Sequence, residues 1–140
     1  MADINDTNRA ANVEHDRDGE ARLRIATDLD TNLLVEAGAG SGKTTSLIER
    51  MLALIDRGTP VERIAAVTFT RKAANELRER FQIQLETRCA ASEAASDRRA
   101  RLETALSDLE RSFIGTIHSF CGRLLRERPL EIGLDPGFTE

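Results

Sequence analysis

Apolar positions along this chain recur in two alternating rhythms: short continuous runs, and longer stretches at helical spacing. The first run, Leu33-Leu34-Val35-Glu36-Ala37, abuts a glycine-rich segment and predicts a buried parallel strand. From about Gly42, Leu47, Ile48, Met51, Leu52, Leu54 and Ile55 build a broad apolar helix face that stops at Gly58, with Pro60 just beyond. The pattern then repeats. Ile64-Ala65-Ala66-Val67-Thr68-Phe69 predicts a second buried strand, and a helix from about Arg71 sets Ala74, Leu77, Phe81 and Leu85 on one stripe. Residues 89–96 predict a loose connector, and 97–111 a charged helix showing Leu102, Ala105, Leu106 and Leu109. Phe113-Ile114-Gly115 predicts a third short strand. A helix over 117–127 follows, with Ile117, Phe120, Cys121, Leu124 and Leu125 inward, and ends before Pro129. Upstream, Leu23, Ala26 and Leu29 predict a helix from Asp18, whereas residues 1–17 lack periodicity and predict a disordered leader. Strands alternating with helices place the chain in the α/β class, with a parallel sheet and flanking helices.

A length of 140 residues, 40% of them hydrophobic and 31% charged, supports one buried core and not two. Five Phe with no Trp or Tyr argue against an aromatic-lined sugar or base cage. No apolar run approaches the ~18 residues that span a bilayer, and the acidic N-terminus is unlike a signal or transit peptide. The expectation is a soluble, cytoplasmic protein with no membrane partner. The net charge of -4 sits entirely in residues 1–30, with eight acids against four bases; the remainder balances, so any DNA contact must be local. Cys89 and Cys121 have no second ligand at metal spacing and read as reduced thiols. Eighteen of the twenty bases are Arg, and the two lysines, Lys43 and Lys72, both fall in motifs.

The stronger motif is Ala37-Gly38-Ala39-Gly40-Ser41-Gly42-Lys43-Thr44, a P-loop with Ala at the usual first Gly. Glycines let successive backbone N–H groups turn toward one centre and cradle a di- or triphosphate, and the helix beginning there adds its positive dipole end. Lys43 is expected to bridge the β- and γ-phosphates of ATP. Thr44 is expected to ligate Mg²⁺ through its hydroxyl, and Thr45 to donate to the α-phosphate. The bland alternative is a Gly-rich turn with an incidental lysine. Hydrolysis further needs a strand ending in an acid that holds Mg²⁺, and no apolar run here ends in Asp-Glu. Asp28-Leu29-Asp30 and Asp108-Leu109-Glu110 sit on predicted helical segments and are poor substitutes.

With this loop stand Thr68-Phe69-Thr70-Arg71-Lys72-Ala73-Ala74-Asn75-Glu76-Leu77 and Gly115-Thr116-Ile117-His118-Ser119-Phe120-Cys121. In that order the three motifs resemble the start of UvrD/Rep-type superfamily I DNA helicases. The charged insert at about 82–111 and Phe120-Cys121-Gly122-Arg123-Leu124-Leu125-Arg126 look more like the helicase–nuclease branch, such as exodeoxyribonuclease V beta subunits and AddA. The resemblance covers residues 18–140. It implies a RecA-like motor domain, here its incomplete N-terminal part over 18–128, with an inserted subdomain starting at 129–140. It implies Mg-ATP as cofactor. The partners it implies are single-stranded or unwinding DNA and a second helicase–nuclease subunit, and the role is DNA repair or recombination.

By the same resemblance Thr68, Phe69, Thr70 and Thr116 contact single-stranded DNA, Lys72 matches a family lysine, and His118 is structural. Hydroxyls and amides at strand-to-helix turns are phosphate donors, and a Phe ring stacks any base. The alternatives are that Phe69 ends a buried strand as core, that Thr70 merely caps a helix, that Lys72 is an exposed helix-start charge, and that Arg123, Arg126 and Arg128 form a solvated face. Where the family often places an adenine-reading Gln, Glu20 and Arg22 stand, and no Gln occurs before Gln82. Two other functions remain open: a non-catalytic nucleotide or polyanion binding module, and a small P-loop kinase. The kinase needs a mobile basic lid, for which Arg98, Arg99 and Arg101 are the candidates, on a helix without a Gly hinge. Without the Mg²⁺-holding acid this stretch is expected not to turn ATP over by itself.

Overall fold

A computed structural model describes residues 17–38 and 40–127. The expected leader, apart from a helical Arg17, lies outside the described residues, as does the expected subdomain start at 129–140. The chain divides after Leu54 into two compact units.

The first unit holds helix α1 over residues 17–27, an irregular segment and loop up to Gly42, and most of helix α2, Lys43–Asp56. The helical spacing predicted for α2 is realised: Ile48, Met51, Leu52 and Ile55 are buried at i, i+3, i+4 and i+7, while Leu47 is more exposed. Gly58, at φ +101°, donates its N–H to the Ile55 carbonyl and closes the helix where the sequence placed its stop. Within the first unit Arg50 of α2 donates to the carbonyls of Ile25 and Asp28 at 2.8 and 2.7 Å and to that of Thr31 at 3.2 Å. One guanidinium thus satisfies carbonyls that the end of α1 leaves without helical partners.

The expected strand at 33–37 does not form. These residues take no regular structure, and Leu34 is 89% exposed. The run has the apolar composition of a parallel strand, but such a strand needs a neighbour to accept its N–H and carbonyl groups, and no strand pairs with it among the described residues.

In the second unit, strands β1, Ala65–Thr68, and β2, Phe113–Thr116, lie parallel, with Ala66 opposite Ile114 and Thr68 opposite Thr116. Helices α3, Arg71–Ala91, and α4, Asp97–Ser107, form the crossover between them. Thr70 caps α3 by accepting from the Ala73 N–H at 3.1 Å, and Ser96 caps α4 by accepting from the Arg99 N–H at 3.2 Å. The predicted α3 stripe of Ala74, Leu77, Phe81 and Leu85 is buried, and it continues to Cys89 because the helix runs through the first part of the expected connector. The helix expected over 97–111 stops at Ser107. A single 3-10 turn, Leu109–Arg111, carries the chain into β2 and keeps Leu109 buried. Leu102, Ala105, Val61, Ile64 and Ile114 complete the core of this unit.

Helix α5, Ile117–Glu127, forms over the predicted range, but its apolar face is not inward. Ile117, Cys121, Leu124 and Leu125 are exposed; the buried residue is Gly122, and Phe120 meets Phe113 at a ring separation of 5.1 Å. A helical period sets which residues share a face, and a second surface is needed to cover it. Both cysteines are free, Cys89 buried and Cys121 exposed. No helix among the described residues is long and apolar enough to cross a membrane.

Candidate nucleotide and nucleic-acid sites

In the first unit the loop preceding α2 turns on two glycines, Gly40 at φ +75° and Gly42 at φ +81°, a region that L side chains rarely adopt. A Cβ added at Gly38 or Gly40 would meet nothing within 4 Å, so the loop borders open space. The Ser46 N–H bonds to the Gly42 carbonyl at 3.0 Å, which makes Gly42 the start of the helical ladder. The N–H groups of Lys43, Thr44 and Thr45 therefore fall in the first turn, where no intrahelical acceptor precedes them. All three side chains are exposed. The Lys43 ammonium folds back and donates to the carbonyls of Ala37 and Gly38, each at 2.6 Å. Of the predicted loop residues, Ala39 lies outside the described residues.

Two arginines contribute here beyond the residues singled out by motif. Arg50 fixes the end of α1. Arg22 donates to the Ser41 carbonyl at 2.9 Å and pairs with Asp18 at 2.9 Å. The Asp18/Arg22 spacing of four was the visible signal, since it puts both side chains on one helix face; the link to Ser41 was not visible. Asp28 is held below its ordinary value, foremost by a hydrogen bond from Thr31, which with the help of Arg24 outweighs the upward push of desolvation. It serves the end of α1. Among the described residues no cluster of His, Cys, Asp or Glu has the arrangement of a metal site.

In the second unit the two short strands end side by side. Thr68 donates through Oγ1 to the Thr70 carbonyl at 3.0 Å. Thr116 Oγ1 accepts from the Ser119 N–H at 3.3 Å, which caps α5, and lies 3.0 Å from the Ser119 hydroxyl. Phe69, immediately after β1, is 93% exposed. It is not a core residue, and that alternative is removed. Thr70 does cap α3, so its hydroxyl already has a structural partner. Lys72 is exposed in the first turn of α3, which carries no acidic residue. Thr68, Phe69, Thr70, Lys72 and Thr116 thus gather at the carboxyl ends of two parallel strands, the side of such sheets where ligands bind. A Cβ at Gly115 would lie 2.8 Å from the Phe113 ring and 2.9 Å from Ser119 Oγ, so any larger residue there displaces both side chains.

The sequence pattern of the UvrD/REP helicase N-terminal domain matches residues 19–140. The chain belongs to this family. It is 44% identical over 122 residues to an ATP-dependent helicase/nuclease subunit of Desulforamulus reducens. It is 38% identical over 118 residues to the corresponding protein of Ligilactobacillus salivarius, and 37% over 119 residues to that of Enterococcus faecalis. These matches take in 84–85% of this chain and 9% of each relative. The chain spans about a tenth of the length of the helicase/nuclease proteins it matches. A mixed helix and strand architecture with a small parallel sheet fits the N-terminal domain of the UvrD/REP family.

Proposed function

We propose that residues 18–128 are part of a RecA-like motor domain that binds Mg-ATP through its P-loop and contacts single-stranded DNA, within an ATP-dependent helicase of the helicase–nuclease kind. The observation that carries the nucleotide reading is the loop itself. Positive φ at Gly40 and Gly42, an open cradle, and Lys43, Thr44 and Thr45 on the first turn of α2 suit a triphosphate and its cation. Bound Mg-ATP supplies the free energy of γ-phosphoryl transfer to water. Lys43, which donates to the neutral carbonyls of Ala37 and Gly38, would instead serve charged β- and γ-phosphate oxygens, a stronger class of hydrogen bond. The Thr44 hydroxyl would hold Mg²⁺, Thr45 would serve the α-phosphate, and the N–H groups of Lys43, Thr44 and Thr45 in the first turn of α2 would be free for the anion. Phe69 offers a stacking face for a base, with Thr68, Thr70, Thr116 and Lys72 toward phosphates. Cytoplasmic DNA repair or recombination, with a second subunit, is the setting this reading implies.

A second reading is nucleotide binding without turnover by this stretch alone, motivated by the sequence, in which no apolar run ends in the Asp-Glu pair that would hold Mg²⁺. Titration calorimetry with Mg-ATP tests the first reading: Lys43→Ala should weaken binding at least about tenfold, the loss of a charge-assisted phosphate contact. Equal affinity for both proteins sinks the assignment. In the same samples phosphate release should stay at the rate without protein, with or without single-stranded DNA. Release that Lys43→Ala abolishes would assign hydrolysis to this chain.

A further inference from the structure

We infer that Arg22 is a positioning residue of the phosphate-binding loop, holding the Ser41 carbonyl outward so that the Gly42 N–H is turned into the cradle. This role rests on the nucleotide reading proposed above. Arg22 stands on α1, nineteen positions before Ser41, and its Nη2 donates to the Ser41 carbonyl at 2.9 Å. The same guanidinium is fixed from behind by Asp18, whose Oδ2 lies 2.9 Å from both Nε and Nη2. Its Nη1 lies 3.1 Å from where a Cβ on Gly42 would sit, so the planar head covers the outer side of the 41–42 peptide.

Peptide geometry gives this contact its consequence. Across a planar trans peptide the carbonyl and the following N–H point in opposite directions, so fixing the Ser41 carbonyl also fixes the Gly42 N–H. The neighbouring parts of the loop are held only weakly among the described residues. The Ser41 N–H reaches the Gly38 carbonyl only at 3.4 Å, and Ser41 Oγ is buried without a hydrogen-bond partner among the described residues. Gly40 and Gly42 on either side are conformationally permissive. A loop of this kind gains affinity when its donors are aimed before the anion arrives, because the ordering cost is then not drawn from binding. Arginine suits the task because its rigid fork serves Asp18 and Ser41 together, whereas a lysine is a single point donor.

The test uses the 140-residue chain, with calorimetric titration of Mg-ATP and of Mg-tripolyphosphate into wild type, Arg22→Ala, Arg22→Lys and Lys43→Ala. Backbone ¹⁵N relaxation of Gly42 is measured without ligand. Arg22→Ala is expected to weaken both ligands by the same factor, about tenfold, equivalent to one charged hydrogen bond. It should also lower the Gly42 order parameter, with Arg22→Lys recovering only part of each. Unchanged affinity in Arg22→Ala, where Lys43→Ala abolishes binding, overturns the positioning role while leaving the nucleotide reading intact. Weakening of Mg-ATP with tripolyphosphate unaffected overturns it too, because that pattern belongs to a base contact. Should Lys43→Ala leave binding untouched, the nucleotide reading fails, and an unaltered Gly42 order parameter in Arg22→Ala then removes the loop-holding role separately.

Discussion

Asp56, the last residue of α2, lies in the second unit and joins α3 and α4 through one carboxylate. Its oxygens accept from Arg98 of α4 at 2.9 and 2.8 Å and from Arg88 of α3 at 3.1 Å. Burial pushes this carboxyl up, but the hydrogen bonds and charge of Arg98, then of Arg88, outweigh it and hold the group below its ordinary value. The folded state therefore binds the proton less readily than the unfolded chain does. The stabilisation is complete above the unfolded value of about 3.9 and fades as pH falls through the depressed folded value. Asp56→Ala should cost about 1–2 kcal/mol near pH 7, between the ranges for exposed and buried pairs. The cost should shrink toward zero in acid. Urea titrations of both proteins at pH 7 and pH 3 measure this; a penalty that is the same at both values would show that the ion pairs do not contribute.

Where β1 hands over to α3, a cap and a proposed ligand contact occupy neighbouring positions. Thr70 satisfies the Ala73 N–H, so Thr70→Ala removes an N-cap and should lower stability by about 1 kcal/mol. Phe69 stands one residue earlier and is almost wholly exposed, so Phe69→Ala should leave stability within about 0.5 kcal/mol of wild type. If the proposed stacking holds, that substitution should weaken single-stranded DNA binding by about 1–3 kcal/mol. Fluorescence anisotropy with labelled oligonucleotide, beside chemical denaturation, distinguishes the two; unchanged DNA affinity in Phe69→Ala removes the stacking role. The α3 stripe was legible because its period and cap are local properties. The same reasoning placed the limits of α5 correctly and its burial wrongly, since Ile117, Leu124 and Leu125 stand exposed.

Over the chain's surface as a whole, exposed apolar side chains have the largest consequence. Leu23, Leu34, Val35, Phe69, Val67, Ile117 and Leu124 all keep more than a third of their surface in water. Apolar side chains left in water favour association, and the run at 33–37, outside any sheet among the described residues, adds backbone donors and acceptors. The 140-residue chain is expected to associate as its concentration rises. Sedimentation velocity across a dilution of about a hundredfold should show the weight-average coefficient falling; a constant value at the monomer mass contradicts this. Unfolding should be weakly cooperative for the same reason, because domains of this size keep only about 5–15 kcal/mol and a poorly covered apolar face lowers that.

The periods of α2, α3 and α5, the Thr70 cap, the stop of α2 at Gly58, the glycine loop and the order of the three family motifs could be read along the chain, whereas the end of α3, the Ser96 cap and the end of α4 at Ser107 could not. Each legible feature is written within a few residues: a period of about 3.6, a Thr three positions before the N–H it caps, a glycine where φ must be positive. Local order also set Thr68, Phe69, Thr70 and Lys72 on one strand-to-helix turn, whereas Thr116 joins them only through the pairing of β1 with β2. Features that need a second, distant surface emerged only on folding. Whether 33–37 becomes a strand rests on a pairing neighbour, and whether the α5 face is covered rests on what lies against it. The reach of Arg22 to Ser41, of Arg50 to Ile25 and Asp28, and of Arg78 to the Ile114 carbonyl joins residues 19 to 36 positions apart. A long guanidinium has many acceptors within reach on any local reading, and only the folded backbone selects among them.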